Sequence, residues 1–330
     1  MSASGPHRPP ALIAIVLAFV AVYVIWGSTY LAIRWSVETM PPLLMAAVRF
    51  LTAGAVLYGW YRARGMERPS TKQWTAAAIS GGLLLAGGNG AVVVAVQWVP
   101  SGLAALLVAS VPLWIVLVDW LAGARVRPAT RSAVGVIVGF AGIALLAGSP
   151  GVGAGGAREA FGAALVLGGA LSWAVGSIYS KYATGLPRPG PLVSMQMLAG
   201  GGILLLMSLA AGEPFSFDVS AVSLKSALAL VYLITFGAMV AYTAYIWLLT
   251  VVSPVKATTY AYVNPLVAMF LGWALADEPL TFRSLGAAAI ILGAVVLITT
   301  EAGTRSTEEQ RLGGSHLATR SRAQSGSTGP

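Results

Sequence analysis

The sequence contains no cysteine, and its two histidines, His7 and His316, lie close to the two ends of the chain. Disulfide bonds and thiol chemistry are therefore excluded. The sequence also lacks the histidine–glutamate pattern of zinc proteases and the glycine–lysine pattern of a nucleotide-binding P-loop. No pair of carboxylates suited to acid–base catalysis is visible in the apolar stretches. We therefore expect neither an enzyme nor a bound metal ion or other cofactor.

Charged residues are also scarce: they make up 9% of the 330 residues, whereas 57% are hydrophobic. Soluble domains carry about 25% charged residues, so this composition cannot provide a water-solvated surface. Stretches without any charge, such as 73–118 and 226–255, exceed the roughly 20 residues that a helix needs to cross a bilayer. The short alternation of outer-membrane strands is absent. The sequence thus predicts an all-α polytopic membrane protein.

The apolar stretches predict ten membrane-spanning helices. Their approximate bounds are 12–32, 42–62, 75–96, 102–121, 132–148, 161–180, 191–211, 226–248, 256–275 and 284–300. The first is interpreted as a retained helix and not as a cleaved signal peptide, because further spans follow it. With the amino terminus in the cytoplasm, fifteen of the twenty lysines and arginines face the cytoplasm and four face outward. This bias predicts that both termini are cytoplasmic, and it accounts for the net charge of +9 without a nucleic-acid partner.

The chain divides into two similar halves. A shift of 147 residues places Trp26 on Trp173, and a shift of 153 places Pro112 on Pro265. Five spans per half is an odd number, so the second half starts from the opposite side of the membrane and the repeats are inverted. The predicted segments are a cytoplasmic tail (1–11), a first repeat (12–148), a Gly-rich outer linker (149–160), a second repeat (161–300) and a disordered cytoplasmic tail (301–330).

Inverted repeats provide two related half-sites that can open alternately to either side of a membrane, as in many secondary transporters. A small-molecule carrier embedded in membrane lipid is therefore the favoured function. A passive channel, or a gene duplication without functional consequence, stays open as an alternative. The sequence shows nothing that resembles a carbonyl filter or a ring of like charges.

Several short motifs lie near the ends of the predicted spans. They include residues 26–34 (WGSTYLAIR) and 101–107 (SGLAALL) in the first half, and residues 257–265 (ATTYAYVNP) and 277–281 (DEPLT) in the second. As a set, over about residues 12–300, they resemble the EamA family of the drug/metabolite transporter superfamily. The resemblance implies two inverted five-helix EamA repeats, a central cavity between them, and export of amino acids or other small metabolites across the bacterial cell membrane. Glu278 has no acidic counterpart in the first half, so the resemblance supplies no symmetric pair of acidic residues.

Arg49 lies within the second predicted span. An arginine at the centre of a membrane helix costs about 2.5–3.5 kcal/mol on insertion scales, so its side chain should face the bundle or a wet cavity. It could bind a carboxylate or another polar group of a substrate, or it could donate to carbonyls of a neighbouring helix. Gln196 occupies the matched position without a charge and is also a candidate cavity residue.

The later spans contribute a second set of candidates. Lys256, Tyr260 and Asn264 follow each other at four-residue intervals, so they share one face of the predicted ninth helix. Such a polar face must avoid lipid, which indicates a cavity lining or, as the alternative, interhelical packing. Tyr242 and Tyr245 share a face of the predicted eighth helix.

Trp26, Trp173 and Asn89 complete the candidate cavity residues. The internal alignment matches the two tryptophans with each other and matches Asn89 with Tyr242. The tryptophans are predicted to lie deep enough to line the cavity. Tyr30, nearer the end of its span, is assigned to the aromatic belt at the membrane interface.

Pro112 and Pro265 lie in the middle of the predicted fourth and ninth spans. Each proline removes a backbone donor, so a kink is predicted at both positions. These matched kinks could serve gating, or they could be static bends. The few cationic and several aromatic and amide candidates favour a small neutral, zwitterionic or aromatic substrate.

Overall fold

The computed structural model describes residues 12–121, 156–183, 186–252 and 254–277, with isolated residues between 134 and 141 and between 282 and 297. Within these residues the regular structure is helical, and no strand occurs. The terminal tails and most of the predicted fifth and tenth spans lie outside the described residues.

Seven helices among the described residues are long and apolar enough to cross a membrane. They are α1 (Leu12–Ser36), α2 (Pro42–Ala63), α3 (Thr71–Ala95), α4 (Ser101–Leu121), α5 (Gly156–Tyr182), α6 (Pro189–Ala210) and α7 (Leu224–Val251). A shorter helix, α8 (Tyr260–Ala276), follows a single helical turn at Pro254–Ala257. Because α5 begins at Gly156 and not at 161, residues 156–160 belong to this helix and not to the linker in which they were predicted.

Helices end and begin at corresponding residues in the two halves. After α2, Gly65 has a positive φ of 87°, and after α6, Gly212 has a positive φ of 77°. Glycine adopts this conformation without the steric cost that other residues meet. The side chains of Ser70 and Ser223 cap α3 and α7 by accepting a backbone N–H bond. The glycines are 147 residues apart and the serines 153, the shifts that relate the two halves of the sequence.

Two helices depart from regular α geometry at matched places. A π-helical segment runs through Gly82–Asn89 in α3, and another runs through Leu233–Tyr242 in α7. Their last residues, Asn89 and Tyr242, are the pair that the internal alignment matches. π-Helical turns are rare and frequently occur at functional sites.

Helix α4 is broken near Pro112. Its first part ends at Val108 and its second part begins at Val111. Pro112 therefore lies in the first turn of a new helical segment, where the missing N–H costs little. Pro265, in contrast, lies inside α8. The two prolines thus occupy different local structures, although the sequence alignment matches them.

The two halves pack by exchanging their first helices. Helix α1 packs against α7 and α8 of the second half, and α5 packs against α3 and α4 of the first half. The matched helices α2 and α6 pack against each other at small residues: a Cβ atom on Gly54 would lie 2.9 Å from the Cβ of Met197. Glycine permits this close approach of backbones. The buried core is therefore shared by both halves.

Candidate functional site

A cavity lies between the two halves, and residues from α1 to α5, α7 and α8 line it. Its polar and aromatic lining comprises Trp26, Thr29, Tyr30, Arg49, Phe50, Asn89, Trp173, Tyr242, Tyr260 and Asn264. The free volume is about 60 Å³. One buried water needs roughly 10–15 Å³, so this volume holds a few waters. Small-molecule pockets usually enclose about 300–1,000 Å³, so we expect the surrounding helices to move apart when a metabolite binds.

Four aromatic rings form a cluster beside the cavity, which we call the aromatic cluster: Trp26, Trp173, Tyr245 and Tyr260. The ring centroids of Trp26 and Trp173 are 5.5 Å apart, with their planes at 83°. Trp26 also lies 5.1 Å from Tyr245 and 5.0 Å from Tyr260. Edge-to-face contacts at such distances are favourable for aromatic rings. The matched tryptophans of the two halves thus meet in the cluster, together with two tyrosines of the second half.

Polar side chains of α1 and α5 form hydrogen bonds across the two halves. The indole N–H of Trp26 donates to the carbonyl of Gly237, within the π-helical segment of α7, at 3.2 Å. The hydroxyl of Ser172 donates to the carbonyl of Leu83, within the π-helical segment of α3, at 2.8 Å. The first helix of each half therefore supplies a hydrogen bond to the π-helical segment of the other half.

Behind the cavity wall, the indole N–H of Trp173 donates to the hydroxyl of Tyr245 at 3.2 Å. The Tyr245 hydroxyl also lies 2.8 Å from the hydroxyl of Ser177. Tyr245 is fully buried and does not line the cavity. The sequence prediction of Tyr245 as a cavity residue is therefore corrected: its ring packs within the aromatic cluster, outside the cavity lining.

Arg49 is 2% exposed and lines the cavity. Its Nη1 atom lies 3.5 Å from the Oδ1 atom of Asn89, and its Nε atom has no hydrogen-bond partner among the described residues. The guanidinium lies 4.7 Å from the ring centroid of Phe50. A Cβ atom on Gly237 would lie 2.9 Å from the Nη2 atom, so this glycine leaves room for the guanidinium.

Gln196, the matched residue in the second half, does not line the cavity. Its Oε1 atom accepts a hydrogen bond from the Tyr242 hydroxyl at 2.8 Å, and its Nε2 atom donates to the hydroxyl of Ser80 at 2.8 Å. Both ends of this buried amide are therefore satisfied by the protein. The sequence prediction of Gln196 as a cavity residue is corrected: it joins α3, α6 and α7.

Lys256 is exposed, and the prediction that it shares a helical face with Tyr260 and Asn264 is wrong. Helical structure is interrupted at Thr258 and Thr259, between the turn that carries Lys256 and the start of α8. The Thr258 hydroxyl donates to the carbonyl of Pro254 at 3.1 Å, and the Thr259 hydroxyl donates to the carbonyl of Lys256 at 2.8 Å. Threonine side chains that bond to nearby carbonyls compete with regular helix formation.

The cavity wall contains Tyr30, which the sequence analysis placed elsewhere, and Asn264, which it placed there. Tyr30 is 7% exposed and lines the cavity, so its assignment to the membrane interface is wrong. Its position four residues after Trp26, on the same face of α1, was the available signal. Asn264 lines the cavity as predicted. With its amide oriented to donate, its nitrogen lies 3.0 Å from the carbonyl of Tyr23, so it also joins α8 to α1.

The structure thus brings together seven of the ten sequence candidates on the cavity wall: Trp26, Arg49, Asn89, Trp173, Tyr242, Tyr260 and Asn264. Neither proline lines the cavity, although Val108 and Val111, on either side of the break in α4, do. No Asp or Glu occurs among the lining residues in the part of the chain that the structure describes.

Comparison with known proteins gives a family and several relatives. The sequence profile of the EamA-like transporter family matches residues 12–148 and 160–300. YedA of Escherichia coli K12, named an uncharacterized inner membrane transporter, is 44% identical over 283 residues, covering 86% of this chain and 89% of that protein. YvbV of Bacillus subtilis 168, named an uncharacterized transporter, is 26% identical over 295 residues, covering 89% and 93%.

The fold also occurs among solved crystal structures. One such structure superposes on this chain with a TM-score of 0.64 at 22% sequence identity, covering 88% of this chain and 98% of the other.

Proposed function

Because the chain belongs to the EamA-like transporter family, we propose that it exports small neutral, zwitterionic or aromatic metabolites by alternating access through the cavity between its halves. The proposed location is the bacterial inner membrane, because the 44% identical Escherichia coli relative is named an inner membrane transporter. The observation that carries the proposal is the cavity itself, walled by matched residues of both halves.

The proposed architecture is ten spans in two inverted repeats, with both termini in the cytoplasm. The repeated π-helical segments, the paired positive-φ glycines and the exchanged first helices support two equivalent halves. The excess of basic residues on one side supports the orientation. In an inverted pair, opening one end of the cavity is the structural equivalent of opening the other.

The lining chemistry supports this range of substrates. Apolar and aromatic walls with a few fixed polar groups suit small organic molecules, and the described lining contains a single cationic residue, which disfavours multiply charged phosphates. Proton-driven carriers usually place Asp or Glu inside the membrane. The described cavity lining has neither, which favours exchange or downhill transport.

Counterflow into proteoliposomes tests the proposal. Candidate substrates are first selected from amino acids and aromatic metabolites by their thermal stabilisation of the purified protein, because a ligand of the folded state raises stability. A carrier preloaded with excess unlabelled substrate should then accumulate labelled substrate transiently and saturably, whereas a passive channel would only equilibrate it.

A matched pair of variants tests whether the substrate passes through this cavity. Thr29→Trp places a large ring at a buried position on the cavity wall and should abolish counterflow. Thr250→Trp makes the same change at an exposed position of α7 and should preserve it. Equal counterflow by the two variants, at equal amounts of folded protein, would contradict transport through this cavity.

A further inference from the structure

The strongest unexplained feature of the cavity is the charge of Arg49, which no described lining residue neutralises. Arg49 is 2% exposed, yet the contacts of its guanidinium are a 3.5 Å approach to Asn89 and the aromatic face of Phe50. Its Nε atom has no hydrogen-bond partner among the described residues. A buried cation is normally neutralised by a carboxylate. The described residues that line the cavity include no carboxylate to do so.

The space around the guanidinium is preserved by the protein. Gly237 lies where any side chain would approach the Nη2 atom to 2.9 Å. The same residue presents its carbonyl to Trp26, which fixes the π-helical segment of α7 beside the cavity. The guanidinium therefore lies at the cavity wall with N–H donors that the described part of the protein leaves unused.

We propose that Arg49 binds the carboxylate of the transported molecule, whose apolar or aromatic body lies against Trp26, Trp173 and Tyr260. This inference rests on the proposed transport function and narrows its substrate class. A guanidinium presents several N–H donors in a planar fork that matches the two oxygens of a carboxylate. Tyr30 and Asn89 line the same cavity and supply further hydrogen-bonding groups.

The charge of the cavity lining distinguishes two classes of ligand that carry a carboxylate, monocarboxylates and amino acids. A monocarboxylate neutralises Arg49, whereas the ammonium group of an amino acid would find no lining carboxylate among the described residues. It would instead rest on the faces of the aromatic rings and on amide or hydroxyl oxygens. We therefore expect a monocarboxylate to bind at least as tightly as an amino acid with the same aromatic body.

Two pairs of probes test the assignment, each consisting of an acid and its amide. Phenylacetate is compared with phenylacetamide, and phenylalanine is compared with phenylalaninamide, by thermal stabilisation of the purified full-length protein at millimolar concentrations. We expect at least one acid to bind about tenfold or more tightly than its amide, because a charge-assisted hydrogen bond is then lost. A preference in the phenylacetate pair identifies monocarboxylates as ligands, and one in the phenylalanine pair identifies amino acids.

Two variants attribute the preference to Arg49. Arg49→Gln should abolish the preference for the acid while retaining whatever affinity the amide has. Arg49→Lys keeps the charge but loses the planar fork, so it should retain a reduced preference even if the glutamine variant fails to fold. A merely structural arginine would change stability without changing the ratio of acid to amide affinity.

The carboxylate assignment is overturned if neither acid is preferred to its amide in the unaltered protein, or if the preference survives Arg49→Gln. Counterflow distinguishes this failure from that of the broader proposal. If the amides exchange saturably without dependence on Arg49, transport stands and the carboxylate assignment falls. If no selected substrate shows counterflow, transport itself falls.

Discussion

At positions 49 and 196 the two halves place different side chains at matched points of the packed helices α2 and α6. Gln196 has protein partners at both ends of its amide, whereas Arg49 has a long contact to Asn89 and an Nε atom unpaired among the described residues. The same position thus serves packing in one half and faces the cavity in the other. Repeats can preserve a fold while their matched side chains take different roles.

Replacement of Gln196 by Ala should destabilise the protein. The variant removes the acceptor of the fully buried Tyr242 hydroxyl, and a buried polar group left unsatisfied costs about 1–3 kcal/mol. The Ser80 hydroxyl loses the bond from the Gln196 amide but still donates to the carbonyl of Ala76. We expect a clear drop in the thermal unfolding temperature in detergent. Gln97→Ala, at an exposed position, is the matched control and should have little effect. Equal unfolding temperatures for the two variants would refute the structural role of Gln196.

At the residue scale the sequence identified most of the polar and aromatic residues of the cavity wall, and its errors have physical causes. Trp26, Trp173 and Asn89 were found because symmetry and helical spacing fix which face of a span they occupy. Lys256 was misplaced because the spacing argument assumes a continuous helix, which hydroxyl bonds at Thr258 and its neighbour interrupt. Side-chain bonds to the local backbone have no periodic signature in a sequence.

At the scale of single elements, close helix packing depends on a few glycines. A Cβ atom on Gly81 in α3 would clash with the carbonyl oxygen of Gln196 in α6. A Cβ atom on Gly200 would lie 2.7 Å from the carbonyl oxygen of Gly81. Both obstacles are backbone atoms, so relief requires the two helices to separate. A Cβ atom on Gly202, in the same helix as Gly200, would meet no other described residue within 4 Å.

Substitution of Gly81 by Ala should therefore be destabilising, while the same change at Gly202 should not. Overpacking costs about 1–3 kcal/mol, whereas alanine in an open helical position gains up to about 1 kcal/mol over glycine. Thermal unfolding of both variants in the same detergent measures the difference. A Gly81→Ala protein as stable as the Gly202→Ala protein would show that α3 and α6 are not in such close contact.

The two prolines should also behave differently. Pro265→Ala restores a backbone donor inside α8 and adds helix propensity worth up to about 3 kcal/mol in a soluble host, so stability should hold or rise. If a flexible α8 is needed for gating, exchange should slow while substrate binding persists. Pro112→Ala is the matched control, because Pro112 lies in a first helical turn and should be nearly neutral. Unchanged exchange in the Pro265→Ala protein would show that Pro265 has no role in gating.

The π-helical segments are a feature of single helices that could not be predicted from the sequence. The sequence signals the spans through apolar length, but one extra residue in a helical turn changes neither composition nor length. The glycines at 82, 87 and 88 permit such a segment without requiring it. The π-helical segments emerge from tertiary contacts, among them the bonds that Trp26 and Ser172 donate to their carbonyls.

At the scale of the whole molecule, the halves are interlocked through their first helices. Because α1 packs on α7 and α8 while α5 packs on α3 and α4, neither half could complete its core alone. The repeat itself could be predicted from two residue shifts in the sequence. Which helices would be exchanged could not, because long-range packing is decided by the shapes of surfaces that apolar patterns do not specify.

The proposed orientation predicts that both termini are cytoplasmic. A fluorescent reporter fused after the full chain should fold and fluoresce in the cytoplasm, while alkaline phosphatase at the same place should be inactive. A fusion truncated after Asp218, between α6 and α7, should give the opposite pattern, since this loop is predicted to face outward. An active phosphatase at the full-length C terminus would contradict both the topology and the inversion of the repeats.

The central claim is that the cavity opens by separating helices of the two halves, and a reversible cross-link between α4 and α8 tests it most directly. A Cβ atom on Gly102 would lie 3.5 Å from the Cβ of Met269, within the range for a disulfide, and the natural chain has no cysteine to interfere. The measurement is counterflow by the Gly102→Cys/Met269→Cys protein, oxidised and then reduced, beside the Gly102→Cys protein treated identically. We predict that oxidation blocks counterflow and reduction restores it. Undiminished counterflow by fully cross-linked protein would contradict the account.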